Sequence, residues 1–431
     1  MLTAYQKEFL KTIIGIPSVG GTAESGAPYG KKAREVLDVF LAEAERNGFR
    51  TGTAGDRVGW VEFGEGEKLL GIICHLDVVP VSDGWSSDPF TLTFRNDEAD
   101  GEVMYARGTV DDKGPACAAF FAMKELYDSG RIPGNHRVRL ILGTDEERTC
   151  SCIQYYARHC EIPDFAVTPD SFFPVIFSEK GILQLRIYGE NQNGFEARGG
   201  SAVNIVPDNA WCRINGKKFS AAGKAAHASR PELGSNAIIR LAEALEKEGI
   251  DLNACPVLQF VRDFGREDLS SLHPEDESGR LTCNPGILKA DSEGCEIRMD
   301  FRIPASMDCQ SLLEYMDAKA SACGLKTETT LNLSPLSADK GSPEIRKLTG
   351  IWVRHMDQFT GFREEYRNLY LEPMAVGMGT YARHIPHTIA FGIQAPWKTD
   401  QCHQPDEHVA VRDFVQWIAI IKEFIAEFTE S

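Results

Sequence analysis

The stretch Leu69-Leu70-Gly71-Ile72-Ile73-Cys74-His75-Leu76-Asp77 decides how this chain is read. Residues 69–74 form a short Leu/Ile run interrupted only by glycine, which predicts a strand. His75 and Asp77 stand just past its carboxyl end. The layout recurs at residues 138–142, with Glu146 and Glu147 beyond the strand, and at 165–167, followed by Asp170. Before the first of these strands apolar residues recur every three or four positions at 5–14 and 31–47, and between the first two 116–127 has helical character, which predicts helices. Alternation of this kind specifies an α/β domain with a mostly parallel sheet flanked by helices. In such a sheet the carboxyl ends of the strands border one crevice, so residues far apart in sequence meet there.

Beyond residue 182 the pattern changes. Strands are predicted at 183–188, 296–303 and 326–333, with helices at 235–248 and 309–322. This reads as an α+β module of ferredoxin-like type. Helical spacing returns at 342–356, followed by a strand at 387–393 and a helix at 411–428. The expected organisation is therefore one catalytic domain, residues 1–182 and 341–431, interrupted by an inserted α+β domain, residues 183–340. The insert has 158 residues, more than the roughly 100 of a compact small domain. An acidic, irregular stretch at 255–281 is expected to belong to this extension.

Composition narrows the function. Among 431 residues, 46 Lys and Arg face 63 Asp and Glu, a net charge of -17, and 42% are hydrophobic. This is the balance of a folded globular chain of two or three domains. An acidic surface without a basic block repels phosphate backbones and anionic lipid, so neither nucleic acid nor a membrane is an expected partner. Lys7, Glu8 and Lys11 interrupt the apolar positions of the first fourteen residues, unlike a signal peptide. Twelve scattered cysteines, several in apolar runs, read as reduced thiols of a cytoplasmic protein.

The chemistry collects at the strand ends. His75, Asp77, Glu146, Glu147 and Asp170 are joined by Asp111 and Asp112, in the loop before the 116–127 helix, and by His403, in the loop after the 387–393 strand. Each alone is an ordinary turn or helix-start residue. Together they place several carboxylates and two imidazoles in one crevice without matching Lys or Arg, a repulsion that divalent cations relieve. Imidazole and carboxylate without thiolate suit zinc, manganese or cobalt. One Asp shared by two ions would make a two-metal hydrolytic site. Asp77, two residues after His75, is placed to accept the far ring N–H of that histidine.

Five blocks carry a resemblance. They are Cys74-His75-Leu76-Asp77-Val78-Val79-Pro80, Ala106-Arg107-Gly108-Thr109-Val110-Asp111-Asp112-Lys113-Gly114-Pro115, Gly143-Thr144-Asp145-Glu146-Glu147, Thr168-Pro169-Asp170 and Cys402-His403-Gln404-Pro405-Asp406-Glu407. In residues and order the chain resembles the dinuclear zinc exopeptidases, a family of PepV-type dipeptidases, carnosinases, aminoacylases and succinyl-diaminopimelate desuccinylases, with PepV-type enzymes the nearest pattern. The resemblance implies His75, Asp111 and Asp170 on one ion and Asp111, Glu147 and His403 on the other. It implies Asp77 as the orienter of His75 and Glu146 as the general base. In the insert, Gly223-Lys224-Ala225-Ala226-His227-Ala228-Ser229 resembles the family's lid segment and implies that His227 stabilises the oxyanion. Asn204 and Arg302 match lid positions that hold a substrate carboxylate. The segment from Gly377 to Arg383 resembles a second substrate-side loop containing Arg383, with Met378 where the family has another glycine.

The expected function is metal-dependent hydrolysis of dipeptides by a water activated between two metal ions, zinc first and manganese or cobalt next. The substrate is then a small peptide or an N-acyl amino acid. The alternative is an amidohydrolase removing an N-acyl or N-succinyl group; a binding protein that has lost catalysis is the remote one, since every matched position holds a competent side chain. The long insert resembles that of PepV-type enzymes, in which the lid covers the site within one chain, and this implies a monomer over a homodimer. Cys150 and Cys152 have no second pair at zinc-ligand spacing, and packing is their expected role.

Overall fold

The computed structural model describes residues 1–131, 134–191, 194–252, 255–265 and 269–430. The chain divides into two compact units. The first comprises Met1–Phe177, Ala338–Met374 and Thr380–Ser431, and the second Ser178–Ser337 with Ala375–Gly379.

In the first unit the strands Lys68–His75, His136–Gly143, Phe165–Thr168 and Thr388–Ala390 are joined by parallel ladders. Val58–Gly64 and Arg50–Ala54 extend one side antiparallel. Every residue of Lys68–His75 after its first is buried, which is why this strand is a continuous apolar run rather than an alternating one. The sheet is thus parallel at its centre and antiparallel at its margin. The helix Ala4–Ile14 starts at a capping box, Thr3 accepting from the Gln6 N–H while the Gln6 side chain accepts from the Thr3 N–H. With Lys31–Arg46 and Lys113–Asp128 it buries an aromatic cluster, in which Phe120 lies 5.5 Å from each of Phe9, Phe40 and Phe49. Each such ring stabilises the fold by about 1.5–3 kcal/mol through area removed from water.

The predicted strand 387–393 is two pieces, Thr388–Ala390 in the main sheet and Ile393–Gln394, which pairs parallel with Ser171–Phe172. Gly392 between them has φ +84°, a left-handed turn that ends the first piece.

The second unit is larger than the expected ferredoxin-like module. Its described residues build a seven-stranded antiparallel sheet in the order Lys217–Ala222, Asn209–Ile214, Glu196–Gly199, Thr282–Asp291, Gly294–Ile303, Gly181–Gly189, Lys326–Leu333. Ala237–Lys247, Pro256–Phe264 and Cys309–Ala322 share one core with the buried face of that sheet. Gly181–Gly189 alternates accordingly, with Leu183, Leu185 and Ile187 inside. The stretch 255–281 is not irregular throughout. Pro256 at the first turn opens an amphipathic helix that buries Val257, Leu258, Phe260 and Val261. Residues 266–268 of that stretch lie outside the described residues. Asn236 caps the Ala237–Lys247 helix by accepting from the Ile238 and Ile239 N–H groups. All twelve cysteines are free thiols. Among the described residues no helix is long and apolar enough to cross a membrane.

Candidate metal centre

The first unit brings His75, Asp111, Glu147, Asp170 and His403 together at the carboxyl ends of its parallel strands. His75 is the last residue of its strand and has no exposed surface. Its backbone N–H donates to Asp112 Oδ2 at 2.9 Å, and its Nδ1 bonds the carbonyl of Asp77 at 2.9 Å. The opposite nitrogen, Nε2, faces Asp111 Oδ1 at 2.9 Å and Asp170 Oδ2 at 3.7 Å. Asp111 turns its second oxygen, Oδ2, to His403 Nε2 at 3.0 Å, and Glu147 Oε2 reaches the same nitrogen at 3.2 Å. One carboxylate therefore stands between two imidazoles. Ligating atoms of His75, Asp111 and Glu147 all lie within 4.8 Å of one another.

Local structure explains this convergence. Asp111 and Asp112 form the turn that opens the helix Lys113–Asp128, whose N-terminal end favours nearby negative charge. Gly114 lets that helix start against Thr109, since a Cβ there would sit 2.0 Å from the Thr109 carbonyl oxygen. Glu146 and Glu147 follow the strand His136–Gly143, and their backbone N–H groups donate to Asp77 Oδ1 and Oδ2 at 3.0 and 3.1 Å. Asp77 therefore acts differently from expectation. Its carboxylate is 3.6 Å from His75 Nδ1, beyond a hydrogen bond; its backbone carbonyl fixes the ring and its side chain anchors the Glu146-Glu147 turn.

The electrostatics test whether cations fit. Burial opposes the charge of Asp111, yet the His403 and His75 rings hold its carboxyl well below the usual range. Burial pushes Glu146 and Asp170 well above that range, helped by neighbouring carboxylates, Glu147 and Asp111 for the first and Asp111 and Asp112 for the second. Burial disfavours the His403 cation, but Asp111 and Glu147 push its pKa up to about 11. So many acids in one crevice need positive charge. Glu147 Oε1 is buried without a hydrogen bond, the orphaned polar atom expected of a residue whose partner is an ion. The donor set, two imidazoles and three carboxylates with no thiolate among them, fits borderline divalent ions.

Tyr381 is a neighbour that the sequence did not single out. Its ring packs edge-on to His75 at 6.1 Å and its hydroxyl meets Cys152 Sγ at 2.9 Å. Gly143 makes room, because a Cβ there would lie 2.1 Å from the Tyr381 hydroxyl oxygen. Cys152 thus packs behind the site, and Cys150 Sγ donates to the Glu146 carbonyl at 3.4 Å. Arg383 ends the short helical turn Tyr381–Arg383. The preceding residues Ala375–Gly379, including Met378, group with the second unit, so the loop expected to be wholly catalytic is divided after Gly379.

The other expected residues lie in the second unit. His227 is joined to the Asn204 segment, with the Ala228 N–H donating to the Asn204 carbonyl at 2.9 Å and Ile205 bridging His227. His227 Nδ1 lies 2.7 Å from the Ser229 hydroxyl and 3.2 Å from the Ser229 N–H; the tautomer in which Ser229 donates to Nδ1 leaves the ring proton on Nε2. Arg302 is buried. Its Nε donates to Asp300 Oδ1 at 2.7 Å, Nη2 to Asp300 Oδ2 at 3.4 Å and Nη1 to the Gly377 carbonyl at 3.1 Å. The fork expected to grip a substrate carboxylate is thus already paired along its inner edge, and only the outer Nη hydrogens remain for another acceptor.

The model of Peptidase family M20/M25/M40 matches residues 71–427. A Bacillus subtilis (strain 168) protein named "Putative dipeptidase YtjP" is 31% identical over 452 residues, covering 95% of this chain and 93% of the relative. Human carnosine dipeptidase 1 superposes with a TM-score of 0.61 at 14% identity, over 99% of this chain and 96% of that one. The Bacillus subtilis YXEP protein, described as a dinuclear metal binding peptidase, superposes with a TM-score of 0.55 at 10% identity, over 99% and 98% of the two chains.

Proposed function

Because the chain belongs to Peptidase family M20/M25/M40, and is thereby a metal-dependent hydrolase, we propose that it cleaves the amide bond of dipeptides at a two-ion centre built on Asp111. The observation that carries this reading is the Asp111 carboxylate, whose two oxygens address two imidazoles at 2.9 and 3.0 Å. His75 and Asp170 would complete the ligands of one ion, and Glu147 and His403 those of the other. Held there, two divalent ions would supply polarisation of the substrate carbonyl and a water acidified toward neutral pH. Zinc suits the donors first, and manganese or cobalt fits the same set.

The chain's own residues do the rest. Glu146 takes a proton from the attacking water onto its carboxylate and returns it to the leaving amine nitrogen. Asp77 keeps Glu146 in reach by holding its backbone N–H. His227, with its proton on Nε2, donates to the carbonyl oxygen as negative charge develops there. Asn204, the outer Nη hydrogens of Arg302, and Arg383 bind the substrate's terminal carboxylate. The name of the Bacillus subtilis relative supports a dipeptide over an N-acyl amino acid. Free thiols at all twelve cysteines fit a reducing cytoplasm, and the size of the inserted unit supports a monomer.

The test is release of amino acids from a panel of L,L-dipeptides and N-acetyl amino acids by chelator-stripped protein, with zinc, manganese or cobalt restored separately. Metal-dependent cleavage of dipeptides is expected. Cleavage of the N-acetyl compounds alone would move the protein to deacylation, and no turnover with any ion would refute the reading.

A further inference from the structure

One acid in the His403 loop has no part in the chemistry above. Glu407, four residues past His403, has no exposed surface. Its Oε1 accepts the Val110 N–H at 2.7 Å and the Asp111 N–H at 3.2 Å, with the Thr109 hydroxyl at 3.5 Å. Its Oε2 takes Arg107 Nη1 at 2.6 Å. Arg107 is itself 1% exposed and lies over the Trp85 ring at 5.2 Å. The Glu407 carbonyl also accepts the Ala106 N–H at 3.1 Å. One residue of the His403 loop thus binds both ends of the turn that presents Asp111.

We infer that Glu407 is a positioning residue that sets the spacing of Asp111 and His403, and so the affinity of the ion these two share. The inference rests on the two-ion reading above. A buried carboxylate is a costly way to fill a core, and apolar packing often serves stability as well or better. What this carboxylate supplies is aim. It accepts from two successive backbone N–H groups, the second belonging to the ligand Asp111. The loop it anchors has left-handed backbone at His403 (φ +65°) and Asp406 (φ +54°), conformations that persist only where the surroundings hold them. Asp406 is held by the Ser86 N–H and hydroxyl at 2.8 and 3.0 Å, and Glu407 holds the rest. His75 and Asp170 stand on other strand ends, outside this tether.

The prediction is selective. Ligand distances in metal sites tolerate about 0.2 Å, and removing a partner that orients a ligand costs about 10–100-fold in metal affinity. Chelator-stripped protein would be titrated calorimetrically with zinc, and again with manganese, as wild type, Glu407→Gln and Glu407→Asp. Gln keeps an oxygen for the two N–H groups but turns an NH2 toward Arg107; Asp keeps the charge one methylene short. In variants with wild-type circular dichroism, the binding step of the ion beside His403 should weaken by about 10–100-fold, and the other, which shares only Asp111 with this tether, should weaken less. Amide exchange at Val110 and Asp111 should accelerate in the stripped protein. Two unchanged steps, or equal weakening of both, would overturn the inference, and so would unfolding of both variants, which would place Glu407 in the fold alone. Fewer than two ions on the wild type would refute the two-ion reading itself and this inference with it.

Discussion

Asp111 and Glu146 divide the work of the centre between holding and reacting. Asp111 stays ionised because two imidazoles outweigh its burial, while burial pushes Glu146 up against the pull of the His75 ring and with the push of Glu147 and Asp111. An acid that readily carries a proton beside one that does not is the pairing a hydrolase needs. Glu146→Gln should therefore keep its metal complement, measured by elemental analysis, while turnover falls by about 10²–10⁴-fold. Near-normal turnover with metal bound would remove Glu146 from the mechanism. His75, Glu147 and Asp170 are legible as candidate ligands because each follows a strand whose apolar run is plain, whereas Asp111 and His403 stand in loops and are marked by the motif blocks around them. The roles of Glu407 and Tyr381 are not legible, since their partners, the N–H groups at 110 and 111 and the Cys152 thiol, are brought to them only by folding. The inner pairing of Arg302 by Asp300 was hidden although the two are adjacent on one strand face, because spacing does not show which way a guanidinium turns.

At the scale of elements, strands covered on both faces announce themselves and marginal ones do not. Lys68–His75 is a hydrophobic run, whereas Lys217–Ala222 has no buried residue and follows no apolar rhythm. The helix Ser151–His159 was likewise unread, its inner face being Cys152, Ile153 and Tyr156 among polar neighbours. The turn Tyr381–Arg383, which seats Tyr381 against His75, ends on His384. Burial first, then the Arg383 charge, lowers the His384 pKa to about 4, and its Nε2 is buried without a partner. An unfolded chain takes up this proton near pH 6.5. The neutral ring's contribution to stability is thus complete above that pH and is lost as pH falls toward 4. Thermal midpoints measured between pH 7 and pH 4.5 should decline less steeply for His384→Gln than for wild type; equal slopes would contradict the burial argument.

Across the whole molecule, one chain builds two units with different sheet logic. The first has a parallel centre, whose strand ends gather residues from positions 75 to 403. The second is an antiparallel sheet with one covered face, and its alternating strands were easy to place while its full width was not. Seven strands exceed the ferredoxin-like expectation: Asn209–Ile214 alternates, but with only Ala210, Cys212 and Ile214 inside and Trp211 and Arg213 between them, and its marginal neighbour opens on Lys217 and Lys218 and buries nothing. Division of the 375–383 segment between units also escaped the sequence, since a change of unit at Gly379 leaves no compositional mark. Whether two ions share Asp111 is decided by anomalous diffraction from crystals of the zinc-loaded protein. Two peaks on opposite sides of the Asp111 carboxylate, about 3.5–4 Å apart, one beside His75 and the other beside His403, are predicted. A single peak, or none within reach of Asp111, would contradict the account.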